Sequence, residues 1–381
     1  MKTRVIFDAR WVLSKPTGIG RYIASLLPPL LRQCPDLEIH LLHRQETWPG
    51  YGLGLLAAPN LVHHVTELPC LSARQYLAIP LLARRLGASL VHHPHFDAPV
   101  LWQPVPVVAT FHDVKYLLHP EFFPRGSALL KRFTMKRLFA MTGRRAAAVI
   151  TVSQNTAAEV EGLFGARPGG YRVVHLAADP VFTRSSDEEI AVWRRKHNIS
   201  RKFVLAVGER RPHKNLVTLI RAFAASASST THDLVIAGQR CQGYDLPERT
   251  AHQLGVESKV HFLDSLSDAE LPPAYSAAGI AASVSLHEGF GLPILEAMAC
   301  GAPVIVATTT AAGEVAGNAA LRVEPSQEAA IASGIDSLSR DSALRGVLIE
   351  RGLARCREFT WEHTAAKTIA VYRECIGEGR Q

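Results

Sequence analysis

Short, almost wholly apolar runs alternate along this chain with longer stretches whose apolar residues recur at helical spacing. In the first half the runs are Val5-Ile6-Phe7 and residues 38–42, 89–92, 105–111 and 147–152. Such runs expect burial on both faces, and their alternation with helices predicts parallel sheets covered on both sides. A polar stretch, 183–200, follows Asp179-Pro180-Val181-Phe182, and a fresh series begins at 203–208, continuing at 233–238, 259–263, 280–284 and 303–307. The break predicts an N-terminal domain over 1–182 and a second over 183–362, with a hinge near 180–200. A final helix starts around Trp361-Glu362-His363-Thr364 and fills 363–381. There is no tandem repeat and no low-complexity tract.

At 381 residues and 47% apolar content the chain can build two cores. Its six cysteines are scattered without a C-x-x-C pair, and Met1-Lys2-Thr3-Arg4 runs straight into a strand rather than a signal segment. No apolar run reaches membrane-spanning length. These features predict a cytoplasmic protein with reduced thiols. The net charge of +8 is unevenly placed: residues 1–182 carry 20 Lys+Arg against 11 Asp+Glu. No helix-turn-helix, zinc-finger or RNP pattern accompanies it, so nucleic acid is not the expected partner.

The densest chemistry lies in His287-Glu288-Gly289-Phe290-Gly291-Leu292-Pro293-Ile294-Leu295-Glu296-Ala297-Met298-Ala299-Cys300-Gly301. Pro293 suits a first helical turn and Gly301 a helix end, which places Glu288 in the preceding loop and Glu296 in the helix. The backbone N–H groups of Gly289, Phe290, Gly291 and Leu292 then meet a helix N-terminus, a seat for phosphate. Two flanking carboxylates add acceptors for hydroxyls. A ligand with phosphate and hydroxyls, such as a nucleotide-sugar, fits; a plain strand-to-helix turn with a surface Glu296 fits as well.

The string resembles the E-x7-E signature of retaining glycosyltransferases of family 4, and other segments carry the resemblance through most of the chain. It implies an α/β chain with the GT-B fold: two Rossmann-like, doubly wound parallel-sheet domains facing an interdomain cleft, closing about the hinge, with the terminal helix returning to the first domain. Val207-Gly208-Glu209-Arg210-Arg211-Pro212-His213-Lys214-Asn215 resembles the family's phosphate loop. Lys214 would neutralise the donor phosphates, and Arg210 or Arg211 would stand in for the family's arginine, because Glu209 occupies its place. Residues 260–271 resemble the segment along the nucleotide base, with backbone contacts around Leu263 and Leu266 and Asp264 where relatives usually have Gly. Thr17-Gly18-Ile19-Gly20-Arg21 resembles the first loop, in which Gly18 and Gly20 let the backbone approach the donor diphosphate. At the end of its strand His112 can donate to a sugar hydroxyl, and a neighbouring carboxylate can fix its tautomer; Thr110-Phe111-His112-Asp113 resembles the family's T-x-H-D element, in which the His touches the transferred sugar. Glu288 would accept from sugar hydroxyls and Glu296 from the ribose.

The implied reaction is transfer of a hexose, with retention, to a hydroxyl of a glycan or lipid-linked acceptor in bacterial surface polysaccharide or lipopolysaccharide synthesis. The resemblance favours GDP-mannose as donor and needs no metal or other cofactor. His93, His95 and Asp97 have the alternation of a metal set, but Pro94 interrupts the strand, and histidines lining the acceptor side are expected instead. Between Phe122 and Ala158 there is no acidic residue, while Arg125, Lys131, Arg132, Lys136, Arg137, Arg144 and Arg145 accumulate among Leu129, Leu130, Phe133, Leu138 and Phe139. This segment predicts either a solvated basic face or a peripheral seat on the anionic inner face of the membrane. A GT-B epimerase or a non-catalytic nucleotide-sugar binder fits part of the pattern, and Glu209 and Gly313 depart from the family.

Overall fold

The computed structural model describes residues 2–15, 17–47, 49–122 and 128–377, the side chains of 128–131 excepted. The chain divides into two compact units, Met1–Leu176 with Trp361–Gln381, and Ala177–Thr360.

The first unit runs β1 (Thr3–Asp8), α1 (Gly18–Gln33), β2 (Leu37–His43), β3 (Leu61–Val65), α2 (Gln75–Leu86), β4 (Leu90–His93), β5 (Val107–Phe111), α3 (Lys115–Leu118), α4 (Ala128–Arg145), β6 (Ala148–Thr151), α5 (Gln154–Phe164) and β7 (Arg172–Val173). Among the described residues the sheet has seven parallel strands in the order β3-β2-β1-β4-β5-β6-β7. Central β4 and β5 are buried throughout, including the His92, His93 and Thr110 side chains that interrupt their apolar runs. Edge strand β3 escaped the hydrophobic pattern because His63 and His64 interrupt it; Val62, His63 and Val65 are exposed, while His64 is half-buried against His40.

The second unit runs α6 (Asp187–Lys196), β8 (Lys202–Val207), α7 (Leu216–Ala225), β9 (His232–Ala237), α8 (Leu246–Gln253), β10 (Val260–Leu263), α9 (Leu271–Ala277), β11 (Ile280–Ser283), α10 (Leu292–Ala299), β12 (Val304–Ala307), α11 (Ala311–Ala316), β13 (Leu321–Val323), α12 (Glu328–Arg340) and α13 (Ser342–Cys356). Its six described strands are parallel in the order β10-β9-β8-β11-β12-β13. Strand order reverses between β1 and β4 in one unit and between β8 and β11 in the other. There the diverging connections open a crevice at the carboxyl ends of the strands.

The expected linker over 180–200 is not one. Ser186 and Glu189 form a reciprocal capping box that starts α6, and Trp193 and Phe182 are buried with Phe203 and Tyr275 in the second unit's core. The boundary therefore precedes 182. The polar reading failed because α6 buries little besides Trp193.

The last helix, α14 (Trp361–Ile376), belongs to the first unit. Tyr372, fully buried, shares a hydrogen bond of 2.5 Å with Nδ1 of His92 on β4, and the other ring nitrogen of His92 meets the Thr110 hydroxyl at 2.8 Å. The Thr364 hydroxyl donates to the His175 carbonyl.

Helix α4 turns Phe139 into the core and leaves Arg132, Phe133, Lys136 and Arg137 exposed, with the Arg137 guanidinium 4.2 Å from the Phe133 ring centre. Arg125 lies outside the described residues, as do the side chains of Leu129, Leu130 and Lys131. Among the described residues no helix is long and apolar enough to cross a membrane.

Two glycines shape the exit of the second sheet. Gly238, just after β9, has φ +154°, and a β-carbon there would lie 2.0 Å from the Gly208 carbonyl oxygen. That backbone cannot yield without unpairing β8 from β9. Gly238→Ala is expected to destabilise the protein by about 3 kcal/mol, measured by urea unfolding; a loss under about 0.5 kcal/mol would contradict the close approach.

Candidate active site

Strands β8 and β11 are neighbours, so the loops that leave them meet. Beyond β8 the chain passes Gly208 and closes a 3-10 turn, Pro212–Lys214. Asn215 then takes a left-handed conformation at φ 57°. Its side-chain amide donates to the Val284 and Pro325 carbonyls, and the Leu286 N–H donates to the His213 carbonyl. These bonds fix the two loops together. Gly208 leaves room for the Lys214 stem, which a β-carbon would meet at 3.0 Å.

The joined loops bring Lys214 Nζ to 2.6 Å from Glu288 Oε1. Burial alone would raise the Glu288 carboxyl, but the Lys214 charge and hydrogen bonds from Lys214 and Ser285 overcome it and hold the group down at about 2. Helix α10 follows with Gly291 as a left-handed cap at φ 104°, no side chain closing its first turn, and Pro293 near its start. Phe290 is buried against Phe359, so this loop offers backbone rather than a ring. Glu296 sits within α10, almost fully buried, accepting from the Tyr275 hydroxyl of α9 at 3.0 Å. A cation, a carboxylate and a helix N-terminus thus meet beyond β8 and β11, with the second carboxylate, Glu296, buried further along α10.

The two arginines part company. Arg210 is buried, its guanidinium paired with Glu248 at 3.1 Å and with Asp264, and stacked 5.3 Å from the Phe262 ring centre. The expectation that Arg210 serves the chemistry beside Lys214 is corrected: its charge is committed to two carboxylates at the β9–β10 edge. Adjacent residues of an extended segment face opposite ways. Arg211 is partly exposed, 2.7 Å from Glu209. Leu263 and Leu266, on the strand end and turn expected along a base, pack partly buried against the core that holds Ala297 and Tyr275.

In the first unit His112 follows β5. Its Nε2 lies 3.2 Å from the Pro94 carbonyl, which can only accept, so that nitrogen carries the proton. The expectation that a carboxylate fixes the tautomer is therefore corrected: the Asp113 carboxylate pairs with Lys115. Burial, followed by the neighbouring His95, pushes His112 down to about 4. The neutral ring has Nδ1 as its acceptor. Thr17 caps α1 by accepting from the Gly20 N–H; Gly20 is also closed in by Tyr51, whose ring a β-carbon would meet at 2.9 Å, whereas Gly18 is open.

Sequence reasoning grouped His93 with Asp97 but did not connect them to Asp8 and Arg10; all four form one buried network across β1 and β4. Arg10 donates to Asp8 and Gln75, and His93 lies between Asp8 Oδ2 at 2.8 Å and Asp97 Oδ1 at 2.9 Å. Burial opposes the charged ring, yet Asp97 and Asp8 raise it to about 9. Each ring nitrogen faces a carboxylate oxygen, and His93, His95 and Asp97 each bring one potential ligand atom within 4.8 Å of the others. His95 also reaches Asp97, at 2.6 Å, and stacks on Trp11. His93 is wholly buried rather than lining a surface. Only the joint spacing of D-x-R and H-x-H-x-D hinted at the network.

Glu288 contributes on the order of 3 kcal/mol above its ordinary value of 4.5, a contribution lost as pH falls toward 2. Lys214→Ala leaves that carboxylate without its ion-pair partner and is expected to cost about 3 kcal/mol at pH 7. The cost shrinks at pH 4–5, where burial protonates Glu288. Chemical denaturation at both pH values checks this; an equal loss at each would show that the pair carries no such charge coupling.

Residues 189–355 match the family model for Glycosyl transferases group 1, and residues 16–182 match that for Glycosyltransferase Family 4. The chain is 30% identical to O-antigen chain mannosyltransferase B of Escherichia coli over 97% of this chain and 99% of that one. It is 25% identical to O-antigen chain mannosyltransferase RfbU of Salmonella typhimurium, covering 85% of this chain and 88% of the relative. In fold it is similar to Anabaena HepE in complex with UDP and glucose, with a TM-score of 0.75 at 20% identity over 97% of this chain and 98% of that one. With two parallel-sheet units of the GT-B class and both halves matched, the chain belongs to glycosyltransferase family 4 and is a glycosyltransferase.

Proposed function

We propose that the protein transfers mannose from GDP-mannose, with retention and without a metal ion, to a hydroxyl of a glycan or lipid-linked acceptor in O-antigen or lipopolysaccharide synthesis. The observation that carries this reading is the Lys214–Glu288 pair beside the N-terminus of α10, which no side chain caps. The names of the two mannosyltransferase relatives support the sugar and the pathway.

In this reading the donor diphosphate takes the charge of Lys214, with Arg211 as a second cation and the N–H groups at Gly289, Phe290, Gly291 and Leu292 completing the seat. Glu288, released from the ion pair, accepts from the sugar hydroxyls. Glu296 accepts from the ribose, and Nδ1 of His112 accepts from the transferred sugar. The bond from the anomeric carbon to the phosphate oxygen breaks as the acceptor oxygen bonds on the same face. The acceptor proton passes to the leaving phosphate. Stabilising that leaving group is the main work of the site.

Thermal stabilisation and slow hydrolysis with GDP-mannose, UDP-glucose and dTDP-rhamnose test the donor. GDP-mannose should stabilise wild type but neither Lys214→Ala nor Glu296→Ala, and its hydrolysis should persist in EDTA and release the α-anomer first by NMR. No response to any donor, or initial release of the β-anomer, would overturn the corresponding part.

The exposed Arg132, Phe133, Lys136 and Arg137 face supports a peripheral seat on an anionic membrane. Co-flotation with phosphatidylglycerol vesicles at low salt, lost at high salt and weakened in an Arg132→Glu/Lys136→Glu/Arg137→Glu variant, is the expected result; no flotation of wild type at low salt would end that proposal.

A further inference from the structure

Arg210 is misplaced for phosphate, and where it goes points elsewhere. Its guanidinium lies against the Phe262 ring, bonds Glu248 and holds one oxygen of Asp264, the residue that follows β10. Arg210 is 2% exposed while the Asp264 side chain is 81% exposed. An arginine thus ties an open carboxylate to the carboxyl end of a strand.

That carboxylate belongs to a turn on the same face of the sheet as α10. Leu263 and Leu266, which flank it, pack on the core cluster containing Ile294, Ala297 and Met298 of α10 and Tyr275 of α9. The Tyr275 hydroxyl in turn donates to Glu296. A nucleotide with its diphosphate at the start of α10 and its ribose at Glu296 extends toward the turn that opens α9. On that placement the base would face the turn that carries Asp264.

A carboxylate discriminates among bases by their edges. Guanine presents N1–H and the 2-amino group side by side, two donors matched to two carboxylate oxygens. Uracil and thymine present one N–H between two carbonyl oxygens, which a carboxylate repels. Adenine and cytosine each set an acceptor beside their amino group.

We propose that Asp264 reads the base and selects guanosine diphosphate sugars. This rests on the reading of the second unit as a nucleotide-sugar site. It goes further in naming the residue that sets the base.

Calorimetric titration of the full chain with GDP, IDP and UDP tests it, since IDP lacks only the 2-amino donor. Wild type should bind GDP about 10-fold or more tightly than either IDP or UDP. Asp264→Asn and Asp264→Gly should bring GDP and IDP together while UDP is held or improves. Equal affinity for GDP and IDP in wild type overturns the proposal whether or not the variants fold, and so does a GDP:UDP ratio unchanged in both variants. A wild-type preference for UDP overturns the guanine assignment and leaves the nucleotide-sugar reading standing. Binding of none of the three overturns both.

Discussion

Parallel strands force every carboxyl end of a sheet to one edge, because each strand must be re-entered from the same side after a crossover. In this protein that constraint gathers much of the buried ionic chemistry described above. Asp8, Arg10, His93 and His112 lie at or just beyond the ends of β1, β4 and β5, and Arg210, Lys214 and Glu288 beyond those of β8 and β11. At the opposite edge of the second sheet a smaller cluster forms, in which buried Asp233 at the start of β9 pairs with Arg201 and His261. These charges therefore need no special scaffold; they occupy the rim where side chains from distant sequence positions converge.

Bringing charges to such a rim costs desolvation, and the molecule answers with pairing. Glu288 is held ionised by Lys214, and His93 is held charged between two carboxylates. The two pairings differ in kind. The His93 network is sealed, with every member buried and bonded within it, so it stiffens the β1–β4 junction. The Lys214–Glu288 pair sits beside an uncapped helix end, where a competing anion can be offered. A sealed pair serves architecture, and an accessible pair can be exchanged for a ligand.

Legibility in the sequence follows how local the causes are. The string from Glu288 to Glu296 was readable because turn, helix start and both carboxylates lie within one contiguous segment whose Pro and Gly signals agree. Alternation of apolar runs likewise exposed both parallel sheets. Arg210 and Arg211 could not be told apart, since which neighbour turns toward Asp264 and Glu248 depends on partners 38 and 54 residues away. The union of Asp8 with His93 spans 85 residues and needed the β1–β4 pairing. Helix α6 read as a linker because its single buried aromatic leaves the rest of its surface polar.

The placement of α14 has a consequence for synthesis. His92 acquires its Tyr372 partner only after residue 372 has emerged from the ribosome, although His92 itself is made in the first quarter of the chain. The second unit, by contrast, is one uninterrupted stretch that is complete when Thr360 appears. The order of translation is thus the reverse of the order in which the two units gain their last structural members: the unit begun first is finished last, and a nascent chain carries the second unit whole while the first still waits for its closing helix.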